Sequence, residues 1–287
     1  MPTRNEAWPE GTPNWIDLGV DDIEAAKTFY TELFGWEYET GGEESGGYVL
    51  AQKDGSSVAG FGPKQDSQQP TVWTTYFASD DVDATAAKVT AAGGQILAPV
   101  MDVMDSGRMT VAADSVGSVF GVWQAGNHKG VGRFNEDGTL CWNELHTRDY
   151  EQSRHFYATV FGFSYNDIGG EGFVYSTIKR ASDGQDVGGV HHDTQLPEGA
   201  PNYWMTWFAS NDVDASLAKA QELGSTVLMP AEDSPFGRMA VVQGAQGEVF
   251  GLISLPAEPA EPAEGEAATV ETANEEVSTQ RDSGEAS

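Results

Sequence analysis

Asp17 and Glu144 are the two carboxylates best placed to do chemistry. Each follows a tryptophan by two residues, Trp15 and Trp142, and the two positions are equivalent in an internal repeat. A carboxylate beside an indole loses hydration, so its pKa rises toward the range of a general base. The competing reading is a carboxylate hydrogen-bonded to a neighbouring strand. Tyr76 offers a hydroxyl to a bound carbonyl, or packs with that hydroxyl satisfied by the protein. His146, His191 and His192 all fall in the second half of the chain. With Glu144 they would make an improvised metal site, although their spacing does not require one. His128 and His155 have no partner visible in the sequence. Arg108 and Arg238 share a Gly-Arg-Met setting, and the surplus of carboxylates favours ion pairing over anion binding there. Cys141 is the single cysteine, which excludes an intrachain disulfide, and no Cys-His-Asp pattern accompanies it.

Two repeats position these residues. Trp15–Tyr38 returns at Trp142–Tyr165, 127 residues on (15 to 142), with Leu18/Leu145, Asp22/Asp149, Phe29/Phe156, Tyr30/Tyr157 and Gly35/Gly162 in step. Trp73–Ala92 returns at Trp204–Leu223, 131 residues on (73 to 204). Each copy reads as a strand, an Asp cap, an amphipathic helix and a glycine. Ile16, Leu18 and Val20 alternate with Trp15, Asp17 and Gly19, the period of a strand. Asp21 or Asp22 caps the first helix, with Asp149, Asp81 and Asp212 as counterparts. Ile23, Ala26, Tyr30 and Leu33 share one helical face, and Gly35 closes the helix. About three strand-like runs follow each helix, so a strand–helix–three-strand unit is used four times.

The chain of 287 residues carries 45 acidic and 15 basic residues, a formal net charge of −30. Such a surface repels phosphate backbones and anionic lipid, so neither nucleic acid nor membrane is expected as a partner. No apolar run approaches the ~20 residues that span a bilayer, and the first residues lack the apolar core of a signal peptide. A cytoplasmic monomer is the expectation. Residues 11–126 and 139–255 read as two domains joined by a linker at 127–138, rich in Gly and charge. From Pro256 to Ser287 nine acidic residues face only Arg281, and that acidic tail is expected to be disordered.

The Asp22–Gly35 run (Asp-x-Glu followed by Phe-Tyr and Phe-Gly), its partner Asp149–Gly162, the Asp-Val-Asp-Ala runs at Asp81 and Asp212, and the Gly-x-Val-Phe-Gly ends at Gly117–Gly121 and Gly247–Gly251 carry a resemblance. The chain resembles the vicinal oxygen chelate superfamily of glyoxalase I, bleomycin- and fosfomycin-resistance proteins and extradiol dioxygenases. It is also similar to tandem glyoxalase-like proteins of actinobacteria, through GTPNW, the GRM turns and WNEL. The resemblance implies an α+β fold: four βαβββ modules, paired into two cups with helices outside and a ligand within. Pairing of the first module with the second is the simplest arrangement, and exchange of the first with the fourth is the alternative. Trp15, Asp17, Gly19, Thr74 and Tyr76 would line one cup, and Trp142, Glu144, His146, Met205 and Trp207 the other.

Metal-dependent members carry His or Glu seven residues before the capping Asp, and Glu four after the Gly that opens the last strand. Those slots hold Trp15, Trp142, Thr74, Met205, Gly121 and Gly251 here, with the remaining slot near Gly60 and Gly189. Indole and glycine offer no metal donor. The expectation is therefore no metal, no cofactor, and a small apolar or aromatic ligand held between aromatic walls over glycine floors. Glycines that ease curvature beneath a solid tryptophan core are the plainer alternative. An enzyme of the superfamily is the competing function, with non-standard metal ligands or with Asp17 and Glu144 as metal-free general bases. An inert scaffold recognised by another protein is a third reading.

Overall fold

The computed structural model describes residues 3–42, 45–64, 66, 69–170 and 172–255. The acidic segment from Pro256 onward lies outside the described residues. The first half runs β1 (Pro13–Val20), α1 (Ile23–Phe34), β2 (Glu37–Thr40), β3 (Val49–Lys53), β4 (Ser56–Pro63), β5 (Trp73–Ala78), α2 (Val82–Ala91), β6 (Gln95–Val103), β7 (Gly107–Ala113) and β8 (Val119–Ala125). The second half repeats it as β9 (Leu140–Thr147), α3 (Tyr150–Phe161), β10 (Ser164–Asp167), β11 (Tyr175–Lys179), β12 (Asp186–His192), β13 (Tyr203–Ala209), α4 (Val213–Glu222), β14 (Thr226–Ser234), β15 (Gly237–Gln243) and β16 (Val249–Ile253). The fold is α+β.

Each half closes one eight-stranded sheet, in the order β2-β3-β4-β1-β5-β8-β7-β6 and its equivalent β10-β11-β12-β9-β13-β16-β15-β14. The strands therefore pair first module with second and third with fourth. β1 and β5 run antiparallel at the centre, flanked by parallel β4 and β8.

The helices do not keep to that pairing. Phe29, Tyr30 and Phe34 of α1 pack both on Phe61 and Trp73 of their own sheet and on Phe208 and Phe250 of the other. Phe34 and Phe208 rings lie 5.0 Å apart. In the same way Tyr157 and Phe161 of α3 meet Phe77 and Phe120 across the halves. The core thus lies between the two sheets and each half supplies part of it. Asn143 of β9 ties the sheets directly. Its side-chain oxygen accepts from Thr75 at 2.8 Å and from Thr206 at 3.3 Å, in a buried setting.

Local rules account for the helix ends, with one exception. Asp22, Asp81 and Asp212 accept bonds from Ala25, Ala84 and Ala215 amides, as N-caps do. Asp149 makes no such bond and instead accepts from the Asn202 amide at 3.2 Å. Gly35 and Gly162 end their helices at φ 71° and 72°, the left-handed region. The buried face of α1 is Ala26, Phe29, Tyr30 and Phe34, broader than the expected stripe, because it meets two sheets rather than one. Arg108 pairs with Asp83 and Asp102, and Arg238 with Asp214 and Asp233, as ion pairing predicts.

Candidate functional site in the second cup

Strand alternation decides what faces each concavity. Ile16, Leu18 and Val20 point into the inter-sheet core, which turns Trp15, Asp17 and Gly19 to the opposite, concave face. Trp15, Tyr76 and Trp123 form a separate buried cluster there, with Leu50, Val103 and Met109 beside it. Trp142, Glu144, His146, Tyr203, Met205 and Trp207 occupy the same face of the second sheet by the same alternation, opposite the core side chains Leu145, Trp204 and Phe208.

One arrangement recurs in both cups. The Trp15 indole donates to the Tyr48 hydroxyl at 3.0 Å, and that hydroxyl donates to Asp17 at 3.4 Å. Trp142 donates to Tyr175 at 2.9 Å, and Tyr175 donates to Glu144 at 3.0 Å. Tyr48 and Tyr175 are not among the residues singled out from the sequence. They stand 127 residues apart (48 to 175), the offset of the repeat, and that was the signal available. Tyr76 donates a further bond to Asp17 at 3.0 Å.

These rings explain the glycines. A β-carbon on Gly60 would overlap the Tyr48 hydroxyl, and one on Gly189 the Tyr175 hydroxyl. On Gly121 it would overlap the ring of Tyr76, and on Gly251 the ring of Trp207. The glycines are therefore roofed by aromatic side chains, which occupy the space a ligand would need to reach that backbone. The slots that hold metal in metal-dependent relatives do not fit a metal here. They present indole nitrogens that donate hydrogen bonds, covered glycines, Thr74 and the thioether of Met205.

The two cups then diverge. In the first, the His128 ring from the connecting segment lies 4.2 Å from the Trp15 ring and 5.5 Å from Trp123. It fills the concavity beside Trp15. Burial lowers the pKa of His128 from 6.5 to about 4, so the ring is neutral. Burial raises Asp17 from 3.8 to about 7, against the opposing hydrogen bonds of Tyr76, Tyr48 and Thr74.

In the second cup a row crosses three strands. His191 of β12 pairs with His146 of β9, which pairs with Tyr203 of β13. Ring centroids are 5.1 Å apart for His146–His191 and 5.0 Å for His146–Tyr203, the latter stacked. His146 donates from Nε2 to Glu144 and from Nδ1 to Asp193, both at 2.9 Å. Burial opposes charge on this imidazole, but the two carboxylates outweigh it and raise the pKa from 6.5 to about 9. Burial likewise pushes Glu144 up, and the bonds from His146 and Tyr175 more than reverse that, holding it ionised below its ordinary range. The His146 bond lowers Asp193 from 3.8 to about 2.

Beside this cluster Phe173 stacks on Tyr175 at 5.4 Å, and the Phe236 ring lies 6.3 Å from that of Tyr175. Both phenyl rings are exposed, 38% and 45%. The indole nitrogen of Trp207 contributes to holding Glu144 ionised, yet it is buried and meets no acceptor at hydrogen-bond geometry among the described residues. His192 stands apart, stacked on Tyr150 at 5.8 Å, and His155 is on the exposed side of α3. Cys141 donates to the Trp207 carbonyl and burial raises its pKa, so it is no nucleophile. A surface groove beside α3, lined by Tyr150, Arg154 and Asp167, touches the cup only through Phe173, Val174 and Tyr175 and holds none of its histidines or carboxylates.

The model of the Glyoxalase/Bleomycin resistance protein/Dioxygenase superfamily matches residues 12–122 and again 140–252. The chain belongs to that superfamily. A Mycobacterium tuberculosis protein named as a candidate glyoxylase, CFP32, is 41% identical over 260 residues, covering 88% of this chain and 98% of the relative. The anthracycline biosynthesis protein DnrV of Streptomyces peucetius is 34% identical, covering 85% and 94%. Among solved structures, the Mn(II)-bound glyoxalase of Novosphingobium aromaticivorans superposes with a TM-score of 0.59 at 18% identity, covering 86% of this chain and 83% of that one. The 2,3-dioxygenase LapB of Pseudomonas sp. KL28 gives 0.60 at 13%, covering 87% and 94%. At these identities the structural likeness speaks for the fold alone.

Proposed function

We propose that this glyoxalase-like protein binds a small, planar, largely apolar molecule in its second cup, without a metal in the slots used by metal-dependent relatives. One observation carries the reading. The row Gly62–Gly19–Val72 of the first half becomes His191–His146–Tyr203 in the second, and only the second half adds the exposed Phe173 and Phe236. Packing common to both cups is accounted for by the Trp–Tyr–carboxylate arrangement, so what one cup alone possesses is free to serve a ligand. Phe173, Tyr203 and Phe236 supply flat apolar surface. The anthracycline biosynthesis relative supports a fused-ring ligand, since an anthracycline is a planar polycycle.

The test is fluorescence titration with 2-aminoanthracene, a planar tricycle with no chelating pair of oxygens. One saturable site per chain is expected, unchanged by EDTA and weakened about tenfold in Phe173→Ala or Phe236→Ala. Binding that survives both substitutions unaltered, or no binding at all, would refute the reading.

A further inference from the structure

We propose that His146, His191 and Asp193 hold a divalent transition-metal cation at the rim of the second cup, outside the superfamily's usual slots, with Glu144 fixing His146 from behind. One ligand atom from each of the three residues lies within 4.8 Å of the others. The separation of His146 Nδ1 from Asp193 Oδ2 is 2.9 Å. Two donors each about 2.1 Å from an ion, at a right angle, stand about 3 Å apart, so a cation fits this edge without spreading it. His191 reaches the same point from the neighbouring strand, its ring 5.1 Å from that of His146.

The bond on the far side of His146 is the second reason. Buried Glu144 accepts from Nε2 at 2.9 Å, and the Tyr175 hydroxyl fixes Glu144 in turn at 3.0 Å. That leaves Nδ1 as the nitrogen turned toward Asp193. A carboxylate that orients an imidazole through one nitrogen while the other faces a donor set is the arrangement that supports metal-ligating histidines. In the apo protein a proton occupies the Nδ1–Asp193 edge. On binding, the cation takes its place and that proton leaves to solvent.

The first half of the chain is the internal control. The positions equivalent to His146, His191 and Asp193 are Gly19, Gly62 and Lys64, which provide no donor set. One site per chain follows, not two. Two imidazoles and a carboxylate suit Zn2+, Co2+ or Fe2+ better than Ca2+ or Mg2+, which prefer all-oxygen shells. The site does not depend on the aromatic-ligand reading, because the phenyl shelf of Phe173 and Phe236 binds with or without the cation.

The experiment is a titration of the full-length, chelator-treated protein with Co2+ and Zn2+, read by equilibrium dialysis with metal analysis and, for Co2+, by visible absorption. One tight equivalent is expected in the native sequence. The double variant His191→Ala, Asp193→Asn should lose it by about 100-fold or more, while weak binding to the many other carboxylates stays the same. Glu144→Gln should keep the stoichiometry and weaken binding about 10–100-fold. The 2-aminoanthracene titration in EDTA runs alongside, so loss of the metal site and loss of the ligand site are scored separately. A native chain that takes up no tight equivalent overturns the proposal without reference to any variant. A double variant that binds as tightly as the native chain overturns the assignment.

Discussion

The hydroxyl of Tyr175 stands directly over the α-carbon of Gly189, where any β-carbon would overlap it. The same hydroxyl receives the Trp142 N–H and donates to Glu144, so the glycine sets the height of a hydrogen-bonded stack. Gly189→Ala should force the ring aside, at a cost of about 1–3 kcal/mol. A fall in melting temperature of several degrees, together with altered tryptophan emission, is expected. Gly170→Ala is the control, since a β-carbon there meets nothing within 4 Å. Equal effects from the two substitutions would show that the ring does not depend on that glycine.

Asp17 gives the first cup a pH signature. Its folded pKa is about 7 against an ordinary 3.8, so the fold holds the proton more tightly than the unfolded chain does. The stability linked to that proton is complete below about pH 4, declines as pH rises, and is gone above about pH 7. Asp17→Asn removes the dependence. The stability of the variant relative to the native chain should therefore climb between pH 4 and 7 by an amount on the order of a few kcal/mol, then level off. Denaturant melts at five pH values would show it, and a difference that stays flat across that window would contradict the burial argument.

His128 closes the first cup from the connecting segment. Its neutral ring packs edge-on against Trp15, and its Nε2 is buried without a partner among the described residues. His128→Ala should open space against Trp15 and Trp123. A second, weaker 2-aminoanthracene site is expected in that variant, with quenching of indole emission. Stoichiometry that stays at one would mean the concavity collapses once the ring is gone.

Much of this fold was legible because a repeated period is a strong signal. Asp22, Asp81 and Asp212 cap as read, and the two-residue alternation around Trp15 and Trp142 placed Asp17 and Glu144 on the concave face. Tyr48 and Tyr175 escaped because Tyr48 precedes β3 and Tyr175 opens β11, where no earlier strand residue sets the alternation. Asp193 and Phe236 escaped for another reason. They lie in connections where the two halves differ in residue type, Lys64 standing where the second half has Asp193, and only tertiary folding brings Asp193 to His146. Asp149 has the same local pattern as its three counterparts, yet Asn202 draws its carboxylate away. The crossing of helices between halves left no mark at all, since Phe34 would look apolar whichever sheet it met.

That crossing has its own consequence. Phe29, Tyr30 and Phe34 of α1 pack on Phe208 and Phe250, while Tyr157 and Phe161 of α3 pack on Phe77 and Phe120. Tyr30 also donates to buried Glu248 at 3.1 Å, across the two halves. A chain of residues 1–138 alone would expose these rings to water, at about 1.5–3 kcal/mol for each large side chain. It should give no cooperative melt as a monomer, and mixing it with a chain of residues 139–255 should restore one. Phe34→Ala in the full protein should cost about 3–5 kcal/mol, typical of a phenyl ring lost from a packed core. Size-exclusion chromatography with thermal melting decides the matter. An isolated half that melts cooperatively as a monomer would show that each sheet covers its own helices, and that the shared core is not what holds the molecule together.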